Sequence, residues 1–229
     1  MQDAVKPRRR YASRRRQEQA AQTRRDIVAA AGTLFRDQGY GATSMQQIAA
    51  QADVVVETLY RAFGSKAGLF RAVIEAVLAG GANRAEVPVE ERPAIRALIE
   101  EQDPRRQIEG YAATQPGIHR RAGPLLRALH GAIAGDAELR SLWDELEGWR
   151  LEGQGRFVRL LADRGRLRPG LSFEDARDVV WTLCSLAVHD LLVVDRGWSS
   201  ERYREWLTAG LIRALLPDAG SGLPPPATR

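Results

Sequence analysis

Residues Thr43 to Lys66, TSMQQIAAQADVVVETLYRAFGSK, constrain this chain more than any other stretch. They read as two short helices joined by a tight turn. Ser44 can cap the first helix, and Gln47 completes a capping box. Ile48, Ala49 and Ala52 then give one apolar face at helical spacing. Asp53 and Val54 make the turn. The second helix runs from about Val55 to Phe63 and ends before Gly64. Its inward residues are Leu59 and Phe63, at i and i+4. Val55, Val56, Glu57, Thr58, Tyr60 and Arg61 are left pointing elsewhere. A helix this short is marginal alone in water, so neighbours must clamp it. Such an arrangement suits a helix presented to the major groove of DNA better than a catalytic pocket.

The chain around that stretch reads as all-α. A first helix is expected from about Gln17 to Gln38, with Ile27, Ala30, Ala31, Leu34 and Phe35 on one face and Gly39 as its stop. Ser65 can cap a helix from Lys66 to about Ala79, ended by Gly80-Gly81. Pro93 suits the first turn of a helix reaching about Gln102. Pro104 breaks it, and another helix follows to about Thr114. Pro116-Gly117 reads as a loop, and Ile118 to Ala134 as a further helix with Pro124 as a kink or restart. Asp136 can cap a long helix to Arg164. Ser172, with Asp175, caps a helix to about Val194, and Ser199 caps the last one, which Pro217 stops. No stretch reads clearly as a sheet.

Composition narrows the function classes. The single cysteine, Cys184, rules out an internal disulfide, and the absence of a signal peptide makes a reducing cytoplasm the expected home. His119, His130 and His189 form no metal-ligand spacing, and no cofactor is expected. The longest apolar run, Val179 to Val194, is interrupted by His189 and Asp190 and is too short and polar for a membrane span. The net charge is +5, and its placement matters more. Up to Arg16 the chain holds Lys6, Arg8, Arg9, Arg10, Arg14, Arg15 and Arg16 against one acid, Asp3. The expected organisation is a disordered basic tail (1–16), a helix-turn-helix domain (17–66), a larger helical body (67–216) and a disordered Gly/Pro-rich tail (217–229). The basic tail suits phosphate attraction or minor-groove insertion, or else is simply solvated.

Here a family resemblance can be stated. Gly39, Tyr40, Ala42, Thr43, Ser44, Ile48, Ala49, Ala52, Val54, Thr58, Leu59, Tyr60, Phe63, Ser65, Lys66 and Leu69 follow a pattern that resembles the DNA-binding domain of TetR-family regulators. The chain departs from it in two places, the turn and the start of the second helix. Asp53 stands where the turn usually carries Gly, and Val55 and Glu57 replace the small polar residue and the Gly that usually precede Thr58. These departures bear on the operator sequence and some phosphate contacts, not on the fold.

The resemblance implies that Gln46, Val56, Glu57, Thr58 and Tyr60 face DNA and that Lys66 touches a phosphate. The chemistry agrees. Gln46 can pair with adenine, and Val56 can touch a thymine methyl. The Thr43, Thr58 and Tyr60 hydroxyls can bond phosphates, which sets position rather than sequence. Arg61 can go to guanine or phosphate. Glu57 can accept from cytosine N4, repel wrong registers, or stay solvated. Ser44 and Val55 complete the expected DNA-binding set.

In the body, His119, Arg127, His130, Trp143, Trp149, Phe157, Trp181, Cys184 and His189 are candidates for a ligand cavity, each equally readable as packing. The last two helices carry an apolar face too wide for one neighbour. They resemble the family's dimerisation pair, with Val180, Leu183, Leu186, Ala187, Leu191, Trp206, Gly210 and Leu211 as interface candidates. The resulting expectation is a homodimeric, ligand-responsive repressor. It would bind a near-palindromic operator in double-stranded DNA and be released by a small-molecule effector. The alternative is a DNA-binding or nucleoid-associated regulator controlled by a protein partner. No nucleophile–base grouping, metal spacing or phosphate loop supports an enzyme.

Overall fold

The computed structural model describes residues 8–81 and 87–218, with side chains from residue 15 onward. The described residues are helical, with no strand. The chain divides into two compact units, one holding the N-terminal residues to Val87 together with Pro124–Leu142, the other Pro88–Gly123 and the chain from Trp143 on.

In the first unit, α1 (Arg8–Ala42) packs on α2 (Met45–Gln51) and α4 (Lys66–Ala79), while α3 (Val56–Phe63) is held between α2 and α4. Ile27, Ala31 and Phe35 of α1, Ile48 of α2, Leu59 of α3 and Leu69, Phe70 and Ile74 of α4 are all buried. The expected apolar faces are therefore the ones used. Gly39 interrupts α1 with φ 80 and ψ 166, a backbone state that glycine reaches at no steric cost. The helix starts earlier than expected, at Arg8 instead of Gln17, so residues 8–16 are helical where a disordered tail was expected. The reason lies in composition: Arg, Gln and Ala are good helix formers, and no Gly or Pro separates them. Residues 1–7 and 219–229 of the two expected tails lie outside the described residues.

The second unit begins with α5 (Pro93–Glu100), which has Pro93 in its first turn. The Gln107 amide donates to the Leu98 carbonyl at 2.6 Å, and Arg164 donates to the Ile99 and Glu101 carbonyls, closing the C-terminal end of α5. Next comes α6, which runs unbroken from Pro104 to Ala132. The loop expected at Pro116-Gly117 is absent. A proline in a helix interior costs about 3 kcal/mol. Ile108, Ala112, Gln115, His119, Ala122, Leu125 and Leu129 are buried at steps of three and four, so burial along this face outweighs that cost. The next helix, α7 (Ala137–Ala162), starts where expected, with Asp136 accepting from the Glu138 and Leu139 amides.

A single helix from Ser172 to Val194 was expected, and it is divided. Ser172 caps α8 (Phe173–Leu183), which stops at Cys184. Ser185 then caps the four-residue α9 (Leu186–His189) by accepting from the Val188 amide at 3.2 Å. A π-helical turn, Asp190–Asp195, follows. The competing signal is Ser185 itself, whose side chain satisfies a backbone donor and restarts the helix. Finally, α10 (Ser200–Leu215) is capped by Ser199 as expected. The core of this unit gathers Ile108, Ala112, Phe157, Val158, Leu161, Ala176, Val180, Cys184, Tyr203, Leu207, Leu211 and Leu215.

Candidate DNA-binding face

The capping box that opens α2 has both halves. The Gln47 amide donates to the Ser44 hydroxyl at 3.2 Å, and the Ser44 amide donates to the Gln47 side chain at 2.7 Å. The turn after α2 places Asp53 at φ 52, the left-handed region that Asp tolerates better than most residues. Val55 begins α3 without a side-chain cap, and Gly64 ends it at φ 76.

The end of α3 is held from two sides. Arg24 of α1 donates to the Ala62 carbonyl at 2.8 Å, and its guanidinium lies 4.2 Å from the Phe63 ring centre. A cation against the last carbonyls is favourable to the helix dipole. From the other side, α4 presses in so closely that a Cβ at Gly68 would sit 2.2 Å from the Phe63 carbonyl oxygen. Only glycine fits there. These clamps supply what eight residues of helix cannot supply for themselves.

The outer edge of α3 stays open. Val55 is 66% exposed and Tyr60 is 49% exposed. Glu57, Arg61 and, on α2, Gln46 are also exposed, while Val56 and Thr58 are half-buried. Thr43 is placed differently from expectation. It is buried, and its hydroxyl donates to the Gly39 carbonyl at 2.8 Å, so it braces the kink in α1 instead of facing a phosphate. Arg24 is likewise committed to α3. A groove lined by Arg16, Gln19, Thr23, Arg24, Thr58 and Arg61 runs between α1 and α3. Sequence reading assigned Arg16 to a tail. The long helical run of Arg, Gln and Ala was the signal that could have placed it on α1.

Lys66 opens α4 beside an aromatic wall. Its ammonium lies 4.2 Å from the Tyr40 ring centre, and burial pulls its pKa down. Tyr40 in turn stacks on Phe35 and meets Phe70 edge-on. Burial, together with the Glu138 and Asp136 carboxylates, pushes the Tyr40 hydroxyl up to about 12. Ser65 caps α4 by accepting from the Gly68 amide at 3.0 Å. The same hydroxyl donates to the Glu138 carboxylate at 2.7 Å, tying α4 to the start of α7.

The ligand-cavity candidates separate. Arg127 and His130 are exposed and belong to the first unit, whereas the other candidates belong to the second. Trp143 and Trp149 are half-buried. Trp181 lies under the Arg150 guanidinium at 4.4 Å, and Arg150 also donates to the Trp181 carbonyl and pairs with Glu147 at 2.6 Å. Phe157 stacks on Tyr111 with ring centres 3.8 Å apart. His119 and His189 are buried and stacked on one another at 4.5 Å. Among the interface candidates, Val180 and Leu211 are fully buried in the core and are not surface residues. Leu183, Leu186, Trp206 and Gly210 are half-buried, Ala187 is exposed, and Leu191 is 59% exposed.

A three-helix head that presents a short, clamped, outward-facing helix behind a tight turn is a helix-turn-helix DNA-binding domain, here joined to a larger helical domain. Residues 27–73 of this head match the family model of the tetR family of bacterial regulatory proteins. Members of that family are transcriptional regulators, not enzymes. Among solved structures, NalD of Pseudomonas aeruginosa, the secondary repressor of the MexAB-OprM multidrug efflux pump, is similar at TM-score 0.64 and 25% identity, covering 88% of this chain and 100% of NalD. A protein of Mesorhizobium loti assigned to the TetR-family transcriptional regulators gives TM-score 0.64 at 21% identity, with 86% and 98% of the two chains covered. Among curated sequences no match is found. No helix among the described residues is long and apolar enough to cross a membrane.

Proposed function

We propose that this protein is a cytoplasmic transcriptional repressor that binds a near-palindromic operator as a homodimer and is released by a small-molecule effector. The observation that carries the reading is α3, held from two sides at its C-terminal end while Val55, Glu57, Tyr60 and Arg61 face solvent. A rigid helix with an exposed, chemically varied edge suits direct reading of bases. Val56 and Gln46 supply base contacts, and Thr58, Tyr60 and Arg61 supply contacts to phosphate or base. Arg16, on the wall of the groove beside Thr58 and Arg61, extends the phosphate track along α1. The family supports dimerisation, since a reader of paired half-sites about 34 Å apart needs two heads. NalD, a repressor, supports the sign of regulation. An effector would act by binding one conformation of the dimer more tightly than another.

The test is selection of bound sequences from a random DNA pool. A palindromic winner is expected, released by a fraction of cell metabolites. A winner that no fraction releases would remove the effector. No winner at all would remove sequence reading. Lys66→Ala is expected to weaken binding to all sequences alike and to lower the salt slope by about one unit. An unchanged slope would take Lys66 off the phosphate contacts.

A further inference from the structure

Of the four buried side-chain polar atoms without a hydrogen-bond partner among the described residues of the second unit, two lie in one aromatic cluster. They are Nε2 of His119 and the hydroxyl of Tyr203. His119 is 6% exposed and Tyr203 is 0% exposed, so neither is served by bulk solvent. His119 stacks on His189 with ring centres 4.5 Å apart. Tyr203 stands edge-on to both rings, at 6.1 Å from His119 and 5.1 Å from His189. Trp206 stacks on Tyr203 with ring centres 6.2 Å apart. Buried polar groups in native proteins are nearly always paired, so two orphans in one cluster call for a partner that the chain does not supply.

The surroundings say what that partner is. The walls are aromatic rings, which favour a flat, apolar body. The two orphaned atoms ask for a hydroxyl or N–H group, since a neutral imidazole nitrogen accepts and a phenol both donates and accepts. Charge is disfavoured. Arg150, the nearby guanidinium, already serves Glu147 and the Trp181 carbonyl, and Asp190 is engaged by His189 Nδ1 at 3.0 Å.

The backbone beside His189 is built to give way. His189 ends a four-residue helix, with the break at Cys184–Ser185 before it and the π-helical turn Asp190–Asp195 after it. So short a piece can shift without melting a long helix, and π-helical turns recur at functional sites.

We infer that the His119–His189–Tyr203 cluster is a closed site for an uncharged, hydroxylated aromatic molecule, which enters by displacing the short helix that carries His189. The inference rests on the effector reading above and supplies its ligand class. The test is calorimetric titration of the full-length protein with p-cresol, toluene and benzoate. Saturable binding of p-cresol is expected, at least about tenfold tighter than toluene, a margin of one well-made hydrogen bond, with benzoate weaker still. His119→Phe should reduce p-cresol to the level of toluene. Tyr203→Phe, which removes one oxygen, should narrow the margin and serves if His119→Phe does not fold. Equal affinity for p-cresol and toluene, or no binding of either, would overturn the site and leave its polar atoms to water. Operator binding measured in parallel separates the two claims. p-Cresol that binds without weakening the DNA complex upholds the site and refutes its effector role. Release of DNA by a cell extract, with no p-cresol binding, upholds the effector and refutes this site.

Discussion

Asp53 is the described non-glycine residue that holds a positive φ, at 52°. The αL state costs an ordinary L-residue roughly 1–2 kcal/mol, and Asp less because its short side chain bonds locally. Asp53→Gly should therefore leave stability within about 1 kcal/mol, while Asp53→Val should lose roughly 1–2 kcal/mol. Urea unfolding of the three proteins checks this, and equal midpoints for Val and Asp would refute strain at the turn. His119 offers a second test at the same scale. Burial, then the neighbouring His189, holds its pKa down at about 3, with Asp190 and the Cys184 backbone pulling the other way and Arg150 adding to the depression. The unfolded chain takes up this proton near pH 6.5, the folded one only near 3. Stability from the neutral ring is thus complete above about pH 6.5 and is lost as pH falls toward 3, by at most about 1.4 kcal/mol per pH unit. The His119→Phe protein should show a flatter acid limb in thermal unfolding between pH 6 and 4. Parallel limbs would mean that the ring titrates normally.

At the scale of elements, Pro116 sits inside a continuous helix, where a proline removes a backbone donor and crowds the preceding turn. Pro116→Ala should raise the unfolding midpoint, by on the order of 1–3 kcal/mol in free energy. A lower midpoint would show that the ring itself packs usefully. This helix also illustrates what was legible from sequence. Caps at Ser44, Ser65, Asp136, Ser172 and Ser199 were readable, because the donor and acceptor lie within three residues of each other. The α2–turn–α3 unit was readable for the same reason. Contacts across long sequence distances were not. Arg24 reaching Ala62, Ser65 reaching Glu138, and the burial that carries α6 through Pro116 leave no trace in a local pattern. Thr43 was misplaced by the same limit: its hydroxyl type allows a phosphate or a backbone carbonyl, and the kink at Gly39 decides between them. Gly68 was passed over because its neighbour, the Phe63 carbonyl, presses on it from the previous helix.

For the whole molecule, the apolar residues left outside the core bear on self-association. Leu191 is 59% exposed and Val194 is 58% exposed, both on the π-helical turn, with Ala187 exposed just before it. Val180 and Leu211, by contrast, are spent on the protomer's own core. If this face meets a second copy, Leu191→Asp should raise the dimer dissociation constant by at least about tenfold, since a charge in an interface core is left unpaired. Sedimentation velocity across a dilution series measures it. A monomer at all concentrations for both proteins would remove the dimer, and an unchanged dimer would move the interface elsewhere.

The hydrogen bond between Ser65 and Glu138 has a practical meaning for protein engineering. Chimeric regulators are made by cutting a DNA-reading head from one chain and splicing it to the sensing part of another. A cut that kept only residues 17–66 would sever the cap of α4 from its carboxylate partner and discard a segment, Pro124–Leu142, that packs with the head as one unit. The transplanted piece would carry every side chain proposed to read bases and still lack part of what holds them in place. A working splice has to bring both stretches, or rebuild on the host chain an acidic residue that meets the serine hydroxyl.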